Sequence, residues 1–119
     1  MKQRIATLEA AADVLAREIE AEINRASRIV RERVKPEFDR RLRALALAVV
    51  ETQRASADLS ALEDELDKQG VRGVSSMSPL DTRLLGSPRD PHGSANIWLR
   101  GAVKEGVLKD RELPEGARL

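Results

Sequence analysis

The chain has 119 residues, of which 41% are hydrophobic, 34% charged and only 2% aromatic, with no cysteine and a formal net charge of +1. So few rings are unusual for a compact globular core, because rings bury the most area per residue, and the absence of cysteine excludes disulfides, cysteine nucleophiles and thiolate metal sites. A charge this close to neutral gives no global field that would steer the protein to nucleic acid or to a membrane.

The first residues, MKQRIATLEAAADVLAREIE, begin basic, but Glu9 and Asp13 interrupt the apolar run that a signal peptide needs. The longest apolar run, ALALAVV at 44–50, is far short of the roughly 18 residues of a membrane span. The expectation is a cytoplasmic protein with no membrane partner.

Residues 1–69 contain no Gly and a single Pro. Apolar residues recur there in steps of three and four, which places them on one face of a helix. The stripe comprises Ile5, Leu8, Leu15, Ile19, Ile23, Val30, Val34, Phe38, Leu42, Leu45, Val49, Leu59, Leu62 and Leu66, with Ala12 and Ala26 filling the register. One chain cannot cover so long a stripe, so these residues are the expected oligomer interface, and the protein itself is the first expected partner. From Ile5 to Ile19 the steps run 3, 4, 3, 4, a heptad pattern; from Ile19 to Leu42 they run 4, 3, 4, 4, 4, 4. The longer steps rule out a strict left-handed coiled coil through the middle.

Pro36 sits where the pattern is least regular. Inside a helix it removes a hydrogen bond and crowds the preceding turn, at a cost of about 3 kcal/mol. The chain either kinks there or turns back as a hairpin. Lys35 is a poor cap and no Gly is at hand to turn the chain, which favours the kink. Gly70 supplies a left-handed stop.

All seven glycines and four of the five prolines lie in residues 70–119. Residues 70–77 read as a linker. Residues 78–110 read as a docking arm of two short helices. The first, SPLDTRLLG at 78–86, has Ser78 as cap and Gly86 as stop; the second, ANIWLRGAVKE at 95–105, is capped by Ser94 and ended by Gly106. Residues 111–119 read as a flexible tail. Trp98 and Ala102, like Leu99 and Val103, are four apart, so Leu84, Leu85, Trp98, Leu99 and Val103 are the expected docking residues, with the Trp98 ring largely buried. The predicted fold is all-α: a long helical, coiled-coil-like region at 1–69, kinked or hairpinned at Pro36, plus this arm.

Asp90, His92 and Ser94 are close in sequence, but triad members approach from separate elements with buried support. A lone His without cysteine makes a poor closed metal site, and GVRG lacks the spacing and the Lys of a phosphate loop. No catalytic residue, metal or cofactor is therefore expected, and the protein is not expected to be an enzyme.

Charge order is more informative. Residues 9–22 carry a net −4, residues 25–43 a net +5, and residues 51–69 a net −4. An in-register parallel dimer sets like charges side by side, and a symmetric antiparallel pairing, or a hairpin turning at Pro36, also opposes acidic to acidic. A staggered neighbour sets basic against acidic, which favours rings, stacks or offset bundles. Alternatively, Arg25, Arg28, Arg31, Arg33, Lys35, Arg40, Arg41 and Arg43 contact an anionic partner such as DNA or RNA.

A long oligomerising helix with a short docking arm resembles, in architecture, small phage assembly or packaging factors and secretion adaptors. The expected function is that of a non-enzymatic oligomeric assembly or adaptor protein that binds another protein. The alternative is a nucleic-acid-binding accessory factor using residues 25–43. Circular dichroism should give well over half helix; the one-third typical of globular domains would contradict the all-α assignment.

Overall fold

The structure, a computed structural model, describes residues 2–80 and 85–119. It is 76% helical, and no strand occurs among the described residues. Among the described residues two helices dominate, α1 (Lys2–Lys68) and α2 (Ser94–Lys104), and three single 3₁₀ turns, Val74–Ser76, Asp110–Glu112 and Glu115–Ala117, accompany them. The chain forms two compact units, Met1–Phe38 and Asp39–Leu119.

The helix of α1 is unbroken through Pro36, so the hairpin alternative is set aside. The proline ring supplies no N–H, which leaves the Glu32 carbonyl without its helical donor. The Arg, Lys and Glu residues on either side of it, strong helix formers, carry the helix across. The end of α1 follows the sequence expectation. Gly70 adopts φ 75°, its N–H bonds Asp67 O at 3.0 Å, and the Val71 N–H bonds Leu66 O at 3.0 Å. These are the two reversed bonds of a Schellman motif, which satisfy carbonyls that the last turn would leave open.

The unit Asp39–Leu119 has a small aliphatic core. Ala46 and Val50 of α1 meet Leu99 and Ala102 of α2, and Leu108, Leu113 and Ala117 close it from the far side. Val49, Val103 and Val107 pack around its edge. Leu99 is fully buried, which stabilises the unit by about 2–3 kcal/mol. The second expected helix is present, with one change: Gly93, not Ser94, is the residue before the first turn, and no side chain caps it. Gly106 ends α2 as expected, with the Val107 N–H on Ala102 O at 2.9 Å. Of the first expected helix, residues 81–84, Leu84 among them, lie outside the described residues; the Ser78 hydroxyl does accept the Leu80 N–H at 3.1 Å.

The expectation of a flexible tail at 111–119 is corrected. Leu113 and Ala117 are core residues, and Pro114 is buried. The tail is held because it supplies apolar surface to a core that has no rings of its own.

At the centre of this unit lies a buried polar pair. Gln53 and Asn96 are 1% and 0% exposed. Gln53 Nε2 donates to Asn96 Oδ1 at 2.9 Å. Asn96 Nδ2 donates to Asp90 O at 2.9 Å, Pro88 O at 3.2 Å and Gly116 O at 3.3 Å. Two amide protons serve three carbonyls, so one proton is shared. Four chain segments meet at this one amide. Gly116 is required there by space: a Cβ would stand 1.8 Å from Pro88 O.

Asn96→Ala should therefore destabilise residues 39–119 by about 3 kcal/mol, because it strands several buried polar groups at about 1–3 kcal/mol each. Thermal melting and limited proteolysis of residues 70–119 read this out, and Gly116→Ala should move both in the same direction.

Candidate functional site: an exposed helical stripe

Within Met1–Phe38, α1 shows its apolar stripe to solvent. Ile5, Leu8, Leu15, Ile19, Ile23, Val30, Val34 and Phe38 are all exposed, from 48% at Val34 to 66% at Leu8. No residue of this unit is buried among those described. A helical face of this composition normally packs against another element, and exposed contiguous apolar surface marks interaction sites.

Within Asp39–Leu119 the stripe meets a different fate. Leu45 is exposed, whereas Leu42 and Val49 are half buried. The face that packs on α2 is formed by Ala46, Val50 and Gln53, one residue further round the helix than Leu45 and Val49. Each residue turns the helix about 100°, so the core takes the flank of the stripe and leaves Leu45 outside. Further on, Leu59, Leu62 and Leu66 line a cavity with Val74, Met77 and Leu80 of the following segment.

The docking residues divide in the same way. Leu99 is buried and Val103 is half buried. Leu85 and Trp98 are exposed, the latter at 41%. The expectation of a buried Trp98 is thus corrected: Leu99 is the anchor. Trp98 stands about 100° round α2 from Leu99, so with Leu99 turned into the core the ring is left at its rim. There Trp98 borders two shallow cavities, one with Val49, Leu85 and Ser94, the other with Leu42, Gly101 and Val107. The segment docks on its own chain.

The basic residues are also sorted by the fold. Arg25 pairs with Glu22 one turn back. Arg25, Arg28 and Arg31 border a shallow hollow with Ala21 and Asn24. Arg33, Lys35, Arg40 and Arg41 are exposed on α1. Arg43 is committed elsewhere. Its guanidinium grips the Glu112 carboxylate with both nitrogens, at 3.1 and 2.8 Å, and donates to Val107 O at 2.9 Å. This fork binds the C-terminal segment to α1.

Asp90 Oδ1 accepts the His92 backbone N–H at 2.9 Å, which closes a turn in which Asp90 and His92 are exposed and Pro91 is half buried. Among the described residues, no group of three His, Cys, Asp or Glu could hold a metal ion, and no helix is long and apolar enough to cross a membrane. No family model, no curated protein and no solved structure matches this chain.

Sequence reasoning missed Gln53, Asn96, Gly116 and Glu112. A signal existed for the first: Gln53 continues the 4, 3 spacing of Ala46 and Val50. The others act through backbone contacts that no spacing encodes.

The Arg43 guanidinium, and after it the Lys109 backbone N–H, hold the Glu112 carboxyl at about 2, below its ordinary 4.5. A carboxyl depressed in the folded state adds stability above its unfolded value and loses it as the pH falls. The contribution of Glu112 should thus be complete above pH 4.5 and vanish towards pH 2. Denaturant titrations of Glu112→Gln and the parent across this range should differ at neutral pH and converge at the acid end.

Proposed function

We propose that the protein is a non-enzymatic assembly or adaptor protein that works as a homo-oligomer and presents its helices to another protein. The observation that carries this is the stripe from Ile5 to Phe38, exposed along its whole length. Long amphipathic helices draw most of their stability from packing of the apolar face, so a helix left open in this way calls for a partner. The charged helical surface suits a cytoplasmic setting, and the separate core of residues 46–117 gives the assembly a folded module in addition to the pairing helix.

Nucleic-acid binding through residues 25–43 is the second reading, supported by the shared border of Arg25, Arg28 and Arg31. It is weakened by Arg43, whose guanidinium is taken by Glu112.

Sedimentation or light scattering at micromolar concentration should give a mass above that of one chain. Ile19→Asp with Leu45→Asp should return it to one chain, since each charge buried at an interface costs several kcal/mol. A parent protein that stays a single chain contradicts the proposal. The second reading predicts a mobility shift with DNA or RNA that weakens steeply with salt and is lost when Arg28, Arg31, Arg40 and Arg41 become Ala.

A further inference from the structure

We propose that the peptide bond between Asp90 and Pro91 is a self-cleavage site, broken by attack of the Asp90 side chain and completed by water. It is a single event per chain, and it goes beyond the assembly reading without depending on it.

The sequence holds one Asp-Pro pair, at 90 and 91. When another residue follows Asp, its backbone nitrogen can close on the side-chain carboxyl. Proline has no N–H for that reaction, and its ring nitrogen leaves as a secondary amine. The route left to the carboxyl is attack on its own main-chain carbonyl carbon, which closes a five-membered ring.

The fold prepares that carbonyl. Residues 90–93 form a tight turn in which the Gly93 N–H donates to Asp90 O at 2.9 Å. A second donor comes from α2: Asn96 Nδ2 reaches the same oxygen at 2.9 Å, the shortest of its three carbonyl contacts. Two fixed donors on one carbonyl oxygen, one of them carried by a fully buried side chain, are what stabilises a developing oxyanion.

The nucleophile is held as well. Asp90 Oδ1 accepts the His92 N–H at 2.9 Å, and the ring this bond closes contains both the Asp90 carbonyl carbon and the Pro91 nitrogen. The carboxyl is thereby kept beside the bond it attacks. The Arg100 guanidinium donates to the Pro91 carbonyl, which ties the turn to α2. Asp90 is exposed and Pro91 half buried, so water has access.

The only co-reactant is water. The Asp90 carboxylic acid adds through Oδ2 to its own carbonyl carbon, and the charge that develops on Asp90 O meets the two donors. The bond from that carbon to the Pro91 nitrogen breaks, and the carboxyl proton passes to the nitrogen. One water then opens the cyclic anhydride to two carboxylic acids, and nothing is oxidised or reduced. The two pieces stay together in one core, with Ala46 and Val50 on the first and Leu99, Ala102 and Leu108 on the second.

Denaturing mass spectrometry of the full-length protein after incubation in mildly acid buffer, which favours the acid form of a carboxyl, tests this. Fragments 1–90 and 91–119 should appear, with a combined mass one water above the parent. The same chain unfolded in guanidinium at the same pH should be cut about tenfold more slowly or less, because unfolding removes donors of a kind worth about a hundredfold or more. Equal or faster cutting of the unfolded chain overturns the proposal, as does an uncut folded chain or a cut at another bond. Asp90→Glu keeps the carboxyl but has to close a six-membered ring, and it should slow the folded chain about tenfold or more. An unchanged rate in Asp90→Glu overturns the side-chain attack.

Discussion

The amide of Asn96 is the point on which residues 39–119 depend. It receives one hydrogen bond from Gln53 of α1 and gives its own to three carbonyls on two loops. A fully satisfied polar pair in an apolar setting contributes little net energy compared with a hydrophobic pair, but any arrangement that fails to satisfy it is penalised. The aliphatic core around it is made of Ala, Val and Leu, which pack adequately in many ways. Gln53 and Asn96 reduce those ways to one, because only one docking of α2 on α1 brings Pro88, Asp90 and Gly116 to the same amide. Gly116 belongs to the same constraint, since the chain crosses Pro88 too closely for any side chain.

The poverty in rings explains much of the remaining layout. Ala46 and Val50 of α1 and Leu99 and Ala102 of α2 share one core, and its apolar contact is small and aliphatic. Such a core needs surface from many segments, so it recruits Leu108, Leu113 and Ala117. The Arg43–Glu112 fork then fastens that recruited segment from outside. Hydrophobic burial, the polar pair and the ion pair thus sit at three depths and act on the same few segments.

Much of this was legible in the sequence where local rules decide. The helix of residues 2–68, free of Gly and with Pro36 its one breaker, the stops at Gly70 and Gly106 and the second short helix follow from propensity and turn chemistry. The misplacements concern choices between neighbouring faces. Trp98 and Leu99 are adjacent, and their spacing to Ala102 and Val103 is the same; which of them is buried depends on core partners far away in sequence, Ala46 and Val50 among them. Likewise, Leu113 and Ala117 look like a tail when read locally, and their burial depends on a cleft that forms only when α2 has docked. The stripe was visible in full, but its fate within residues 39–119 was not: Leu42, Val49 and Leu66 are half buried by segments whose position spacing alone does not give, while Leu45, Leu59 and Leu62 stay exposed.

The exposed stripe has a consequence for secondary structure itself. A helix whose apolar face has no cover among the described residues of its own chain draws its stability from whatever covers it in solution. With a second copy in that role, mass action enters the helix–coil balance of residues 2–38. Under the proposed self-association, dilution would unwind this stretch, while residues 46–117, closed around their own core, would not respond to it. The two units of one chain would then answer to different variables: the first to how many copies are near, the second to its own internal contacts.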